Sequence, residues 1–105
     1  MTHDQVVAEI QARAKLRGLV SHYCRRSQRC TGDQGMPDII IVGRDGVVWL
    51  EVKTPQTPDP GPEQIRWKYK LQAAGQVCEI MTETDLEPGM AVDAILEFAA
   101  TGDVR

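Results

Sequence analysis

Residues 38–53 constrain this chain more than any other stretch. Two β-branched apolar runs, 38–42 (DIIIV) and 47–53 (VVWLEVK), flank Arg44-Asp45-Gly46, and Asp-Gly between such runs is a hairpin signal. A two-residue turn at Asp45-Gly46 pairs Arg44 with Val47, Ile40 with Glu51 and Asp38 with Lys53. A turn at Arg44-Asp45 places Asp38 opposite Glu51 instead. Side chains alternate along a strand and opposed residues share a face, so Asp38, Glu51 and Lys53 project from one side in either register. A three-residue loop without a bulge would move Asp38 to the other side. Ile39, Ile41, Val48, Leu50 and Val52 form the opposite face as a continuous apolar layer. Ile40, Val42 and Trp49 make much of the acidic face apolar as well, which implies a sheet covered on both sides. Two acids and a lysine are costly in such a place unless paired, hydrated or bound to metal. A purely structural reading pairs Asp38 with Lys53 and leaves Glu51 at the sheet's edge.

The remaining segments supply elements to flank this hairpin. Thr2 and Gln5 match a capping box, and Val6, Val7, Ile10 and Ala14 recur at helical spacing, predicting a helix over 3–17 closed by Gly18. Residues 19–24 read as a short strand. Residues 54–62 carry four of the six prolines and read as an exposed loop. Pro62 suits the first turn of a second helix that runs to Ala74 and is closed by Gly75. Residues 76–81 read as a last strand, and Ala91, Ile95, Leu96 and Phe98 as the apolar positions of a final helix. The expected fold class is α/β: a mixed central sheet flanked by helices, in the order α-β-β-β-α-β-α. With 105 residues, residues 1–105 are expected to form a single domain.

The net charge of −3 conceals an uneven distribution. Residues 81–105 hold six acids and one base, leaving eleven bases and nine acids in residues 1–80. From Ile10 to Gly32 there is no acid but there are six bases, Arg13, Lys15, Arg17, Arg25, Arg26 and Arg29; Arg66, Lys68 and Lys70 form a second cluster on the second helix. A basic run is by default a solvated face; beside a site that acts on an anion it becomes a phosphate-binding surface. Tyr23, next to Arg25 and Arg26, is a candidate for stacking on a base or sugar. At least one of Trp67 and Tyr69 is expected in the core. Cys24, Cys30 and Cys78 are too few for a disulfide scaffold, and with His22 they do not match a zinc knuckle, so buried or inert thiols are expected. No apolar run approaches the ~20 residues that span a bilayer, and the first residues lack the pattern of a secretory signal. A cytosolic protein with no membrane partner and no organic cofactor is expected.

Gly35-Met36-Pro37-Asp38, followed by Glu51-Val52-Lys53 and then Gln64 at the start of a helix, resembles the signature of PD-(D/E)xK nucleases. It is most similar to the VRR-NUC family, the virus-type replication and repair nucleases, over about residues 5–85. The resemblance implies a restriction-endonuclease-like core and hydrolysis of DNA phosphodiesters. It implies that Asp38 and Glu51 ligate Mg²⁺ or Mn²⁺, with the Val52 carbonyl as a further ligand. Lys53 would orient the attacking water or stabilise charge on the phosphate, and Gln64 would hold Lys53 or that water. Glu9 matches a first-helix glutamate that binds metal directly or through water, although an i, i+4 pair with Arg13 is its ordinary reading. Gly61 departs from the pattern, since relatives more often carry a capping Ser there.

The chemistry is coherent with the residues. Hard carboxylate oxygens suit Mg²⁺, which keeps several waters and binds substrate phosphate. The bound metal then polarises the phosphoryl oxygen and activates water. Lys15, Arg17, Tyr23, Arg25, Arg26, Arg29 and Arg66 would contact DNA. Minimal single-domain members resemble junction-resolving enzymes that act as homodimers, which leads to the expectation of a homodimer that cuts branched DNA, and the short, lone-domain build with the resemblance suggests a phage or prophage origin. The alternatives are a flap or nicking nuclease working as a monomer or subunit, and a DNA-binding module without catalysis.

Overall fold

A computed structural model of the protein describes residues 1–23, 35–56 and 60–101. Cys24, Arg25, Arg26, Arg29 and Cys30 lie outside the described residues. The elements run α1 (His3–Leu16), β1 (Val20–Tyr23), β2 (Ile39–Val42), β3 (Val47–Val52), α2 (Pro62–Ala73), β4 (Val77–Met81), a single 3₁₀ turn (Glu83–Leu86) and α3 (Ala91–Thr101). This is the expected order with one short 3₁₀ turn added. The local signals act as read. Thr2 Oγ1 accepts the Gln5 N–H at 3.2 Å and Gln5 Oε1 accepts the Thr2 N–H at 2.8 Å, so α1 starts in a reciprocal cap.

The strands lie in the order β1-β2-β3-β4. The first two pairings are antiparallel, and β4 runs parallel to β3. A parallel neighbour needs a crossover, and α2 provides it. Among the described residues no helix is long and apolar enough to cross a membrane.

The hairpin adopts the register of a turn at Arg44-Asp45 rather than at Asp45-Gly46. Ile39 pairs with Leu50 and Val42 with Val47, and the Gly43 N–H donates to the Gly46 carbonyl at 2.9 Å. An Asp-Gly type I′ turn needs positive φ at both central residues, and neither Asp45 nor Gly46 has it. A tertiary contact prevails instead. The Asp45 N–H donates to the Ala99 carbonyl of α3 at 3.3 Å. A Cβ at Gly43 would lie 2.1 Å from that same carbonyl oxygen, so only glycine lets the turn approach the end of α3. Asp38 thereby lies one step beyond the Ile39–Leu50 pair, opposite Glu51.

The apolar layer is as expected: Ile39, Ile41, Val48 and Leu50 are fully buried and Val52 is 1% exposed. They pack under Val6, Val7, Ile10 and Ala14 of α1 and Val92, Leu96 and Ala99 of α3, forming one core. The expected cover on the second face is only partial. There Ile40 and Trp49 are half-buried and Val42 is exposed, whereas Glu51 and Lys53 are buried. Helix α2 lies against β4 and contributes no buried side chain; Trp67 is half-buried and Tyr69 exposed, so neither is core. It bonds to the sheet through polar groups instead, with Gln72 Nε2 donating to the Cys78 carbonyl at 3.1 Å. The acidic end of this face is closed, and the other end is open.

Candidate functional site

Four segments converge at the closed end. The residues before β2 supply Asp38, β3 supplies Glu51 and leads into Lys53, the first turn of α2 supplies Gln64, and the first turn of α1 supplies His3. Glycine at position 35 makes the convergence possible. Gly35 has φ +94°, and a Cβ there would lie 2.5 Å from the Glu63 carbonyl carbon and 2.7 Å from the Gln64 backbone nitrogen. The loop that carries Asp38 therefore rests directly on the backbone of α2, and both the left-handed conformation and the close approach require glycine. The Gly-x-Pro-Asp pattern is the local record of that contact.

Two groups meet one oxygen of Asp38. The Val52 N–H donates to Oδ2 at 2.8 Å, and His3 Nε2 lies 3.1 Å from the same oxygen. Glu51 is 5% exposed. Its Oε1 accepts from Gln64 Nε2 at 3.3 Å, while its Oε2 is buried without a hydrogen-bond partner. Burial first, then the hydrogen-bonded contact with Asp38 and its negative charge, push the Glu51 carboxyl from 4.5 up to about 9, against the pull of Lys53. At neutral pH the Glu51 carboxyl thus keeps its proton beside Asp38. Lys53 is 7% exposed, and its charge acts on Glu51.

Gln64 lies at the carboxylate pair, with its amide bonded to two groups. Its Oε1 accepts the Gly61 N–H at 3.0 Å, and its Nε2 grips Glu51 rather than Lys53. One amide side chain thus satisfies the start of α2, where Gly61 offers no capping group, and ties that helix to the carboxylate pair. Glu9 is not brought to the pair. Its Oε1 accepts from Arg13 Nε at 2.9 Å, in a network where Arg13 and Arg17 also bind Asp93 of α3 and Arg17 binds Glu97. Arg17 is accordingly committed to α3, at 2.9 Å from Glu97 and 3.2 Å from Asp93. The Tyr23 hydroxyl donates to Asp4 Oδ1 at 2.9 Å and faces His3 Nδ1 at 3.4 Å, so it lies against α1. Lys15 and Arg66 are exposed. Cys78 is buried, and that burial pushes its thiol up to about 11, leaving it unreactive at neutral pH.

His3 is the residue that sequence reasoning missed. Nothing in spacing links position 3 to position 38; the only local signal was its place in the first turn of a capped helix.

The donor set around Asp38 and Glu51 fits a hard divalent cation. Two carboxylates and a backbone carbonyl match the few protein ligands that Mg²⁺ takes while it keeps waters, and the unpartnered Oε2 of Glu51 is an acceptor that a cation would satisfy. Among the described residues no group of three or more His, Cys, Asp or Glu side chains is placed to hold a metal ion. A groove of about 430 Å³ between β4 and α3, lined by Val77, Met81, Ile95 and Phe98 among others, contains none of the residues of this centre.

The fold is shared with known structures. One solved structure, a "VRR_NUC domain", superposes with a TM-score of 0.67 at 20% identity, covering 90% of this chain and 94% of that chain. A "VRR_NUC domain protein" superposes with a TM-score of 0.59 at 16% identity, covering 92% of this chain and 84% of that one. No protein-family model and no curated protein sequence matches the chain. The mixed sheet with helices in the order α-β-β-β-α-β-α is the restriction-endonuclease-like α/β arrangement that these structures share.

Proposed function

We propose that this protein is a metal-dependent deoxyribonuclease that hydrolyses phosphodiester bonds at the Asp38–Glu51 pair. The observation that carries this reading is Glu51: a buried carboxyl with one unpartnered oxygen, pushed up to about 9 beside a second acid. Such a pair is costly to a fold that uses it only for stability and suits one that exchanges its proton for a cation. Asp38, Glu51 and the Val52 carbonyl would hold Mg²⁺ or Mn²⁺, which when bound supplies Lewis-acid polarisation of the phosphate and a more acidic water. Lys53, next along the same face, orients the attacking water or offsets charge on the phosphate. Gln64 fixes Glu51. Lys15 and Arg66 remain exposed to meet the DNA backbone, together with Arg25, Arg26 and Arg29 outside the described residues.

The finer reading is a homodimer acting on branched DNA. One chain carries one carboxylate pair, and symmetric cutting of a four-way junction needs two.

Cleavage of duplex, single-stranded, flap, fork and four-way-junction DNA with Mg²⁺, Mn²⁺ or EDTA tests both levels. Metal-dependent cutting that is lost in Asp38→Asn and in Lys53→Met supports the nuclease. Preference for the junction together with a dimer mass in solution supports the finer reading; flap preference with a monomer mass replaces it. Binding without cutting in any metal removes the enzyme.

A further inference from the structure

The catalytic chemistry proposed above leaves one polar chain unexplained: Asp38, the His3 ring, the Tyr23 hydroxyl and Asp4. His3 is half-buried in the first turn of α1, and its ring centroid lies 6.1 Å from that of Tyr23. Nε2 meets Asp38 Oδ2 at 3.1 Å, and on the far side of the ring Nδ1 meets the Tyr23 hydroxyl at 3.4 Å. That hydroxyl donates to Asp4 Oδ1 at 2.9 Å. The contact with Asp38 is a hydrogen bond from the ring when Nε2 carries the proton.

From this chain we infer that His3 is the positioning residue of the carboxylate centre, acting on a divalent cation through Asp38. The inference rests on the metal-centre reading of the preceding subsection.

Asp38 Oδ2 is met by two groups, the Val52 N–H at 2.8 Å from one side and the His3 ring at 3.1 Å from another. With Oδ2 so fixed, the carboxylate cannot rotate, and Oδ1 is the oxygen left to face a cation. Ligating carboxylates are commonly oriented by such outer partners. Tyr23 stands on β1, at the register position of Ile39, and packs its hydroxyl beside Nδ1 while giving its one proton to Asp4. The arrangement also assigns α1 a functional part that Glu9, bonded to Arg13, does not fill. A residue whose only task is to pin α1 to the sheet has no need of one particular ring nitrogen; a residue that sets the rotamer of a ligand does.

The test is Mn²⁺ titration of metal-free protein, read from the electron paramagnetic resonance signal of free Mn²⁺, with thermal unfolding in EDTA alongside. His3→Ala is expected to weaken Mn²⁺ binding about tenfold or more. His3→Gln, which can present an N–H near the position of Nε2, is expected to recover most of that loss, and Tyr23→Phe to show a smaller loss in the same direction. In the neutral ring, long-range ¹H–¹⁵N spectra of the unmutated protein are expected to show the proton on Nε2, a readout that needs no variant to fold. Asp38→Asn serves as the reference that abolishes binding. If Asp38→Asn loses Mn²⁺ but His3→Ala binds as the wild type does, the inference falls and the metal centre stands. Equal weakening in His3→Ala and His3→Gln, or a neutral ring protonated on Nδ1, also overturns it. If wild type and Asp38→Asn bind Mn²⁺ alike, the metal centre itself fails, and the role of His3 goes with it.

Discussion

Asp93 is a half-buried acid and Glu51 a buried one, and the fold treats them in opposite ways. Asp93 accepts the Gly89 N–H at 2.9 Å and lies between Arg13 at 3.3 Å and Arg17 at 3.2 Å. The Gly89 N–H foremost, then the two guanidinium groups, hold its carboxyl below the usual carboxylate range against the opposing pull of burial. Glu51 has one amide on one oxygen, nothing on the other, a second acid beside it, and a carboxyl pushed up to about 9. The α1–α3 network is electrostatically complete; the centre at the end of β3 is not. The fold thus satisfies its acids in one place and leaves them short of partners in another, and a perturbed, under-partnered acid is where a functional centre is to be sought.

The contrast makes predictions that differ in size. The largest concerns activity. Glu51→Gln keeps a side chain of the same length whose amide can donate to Asp38, so the metal-free protein should melt at a higher temperature near the upper end of the window below. Metal-dependent cleavage should fall by about 10²-fold or more, the scale of losing one preorganised electrostatic group at a reacting centre. A variant that is both stabilised and fully active would end the claim that the unpaired oxygen serves catalysis.

Next in size is the glycine that lets the site assemble. Gly35→Ala forces a Cβ against the Glu63 and Gln64 backbone at a φ of +94°, and should cost about 2 kcal/mol or more in chemical denaturation, with α2 displaced from Glu51. An unchanged midpoint would show that the loop and α2 are not in the contact described.

The two centres also differ in the sign of their pH dependence. For Glu51 the folded state holds a proton that the unfolded chain releases above 4.5, so its contribution declines as pH rises from about 4.5 to about 9. For Asp93 the folded state is ionised where the unfolded chain is still protonated, so its contribution is present above 3.8 and is lost as pH falls through its lowered folded value. Melting temperature in EDTA should therefore decline towards alkaline pH. Millimolar Mg²⁺ should oppose that decline by replacing the Glu51 proton, and most strongly at the alkaline end. A decline that Mg²⁺ leaves untouched would place the cation elsewhere.

The smallest effect tests the complete network. Asp93→Asn leaves two arginines with weaker partners and should cost about 1 kcal/mol at neutral pH, in the upper range for exposed pairs because it serves two guanidiniums. Cleavage at neutral pH should stay at the wild-type level. Loss of activity in this variant would mean that α1 transmits strain to His3.

Much of the architecture was legible because its causes are local. Alternation in residues 47–53 identified the buried layer, Thr2 and Gln5 announced the start of α1, and Pro62 announced that of α2. The Gly35, Asp38, Glu51, Lys53 and Gln64 order pointed to the carboxylate centre, whose members the structure places together at one end of the sheet. The failures share a cause. The Asp-Gly turn signal lost to the Ala99 carbonyl of a helix 54 positions away from Asp45. Glu9 was assigned from the resemblance to a first-helix glutamate, and Arg13, which engages it, also binds Asp93 on α3. Arg17 read as part of a bare basic run because its partners, Asp93 and Glu97, lie about 80 residues along the chain.

Residue alternation, caps and turn formers act over a few residues and repeat with the period of a strand or a helix, so a reader of the sequence recovers the elements and the face that carries the acids. Hydrogen bonds to those acids carry no period. That His3 rather than Glu9 reaches Asp38, that Gln64 grips Glu51 rather than Lys53, and that Glu51 Oε2 is left bare depend on where α1 and α2 dock on the sheet. Docking follows from burying apolar surface across distant segments, and it assigns polar partners that no local pattern encodes.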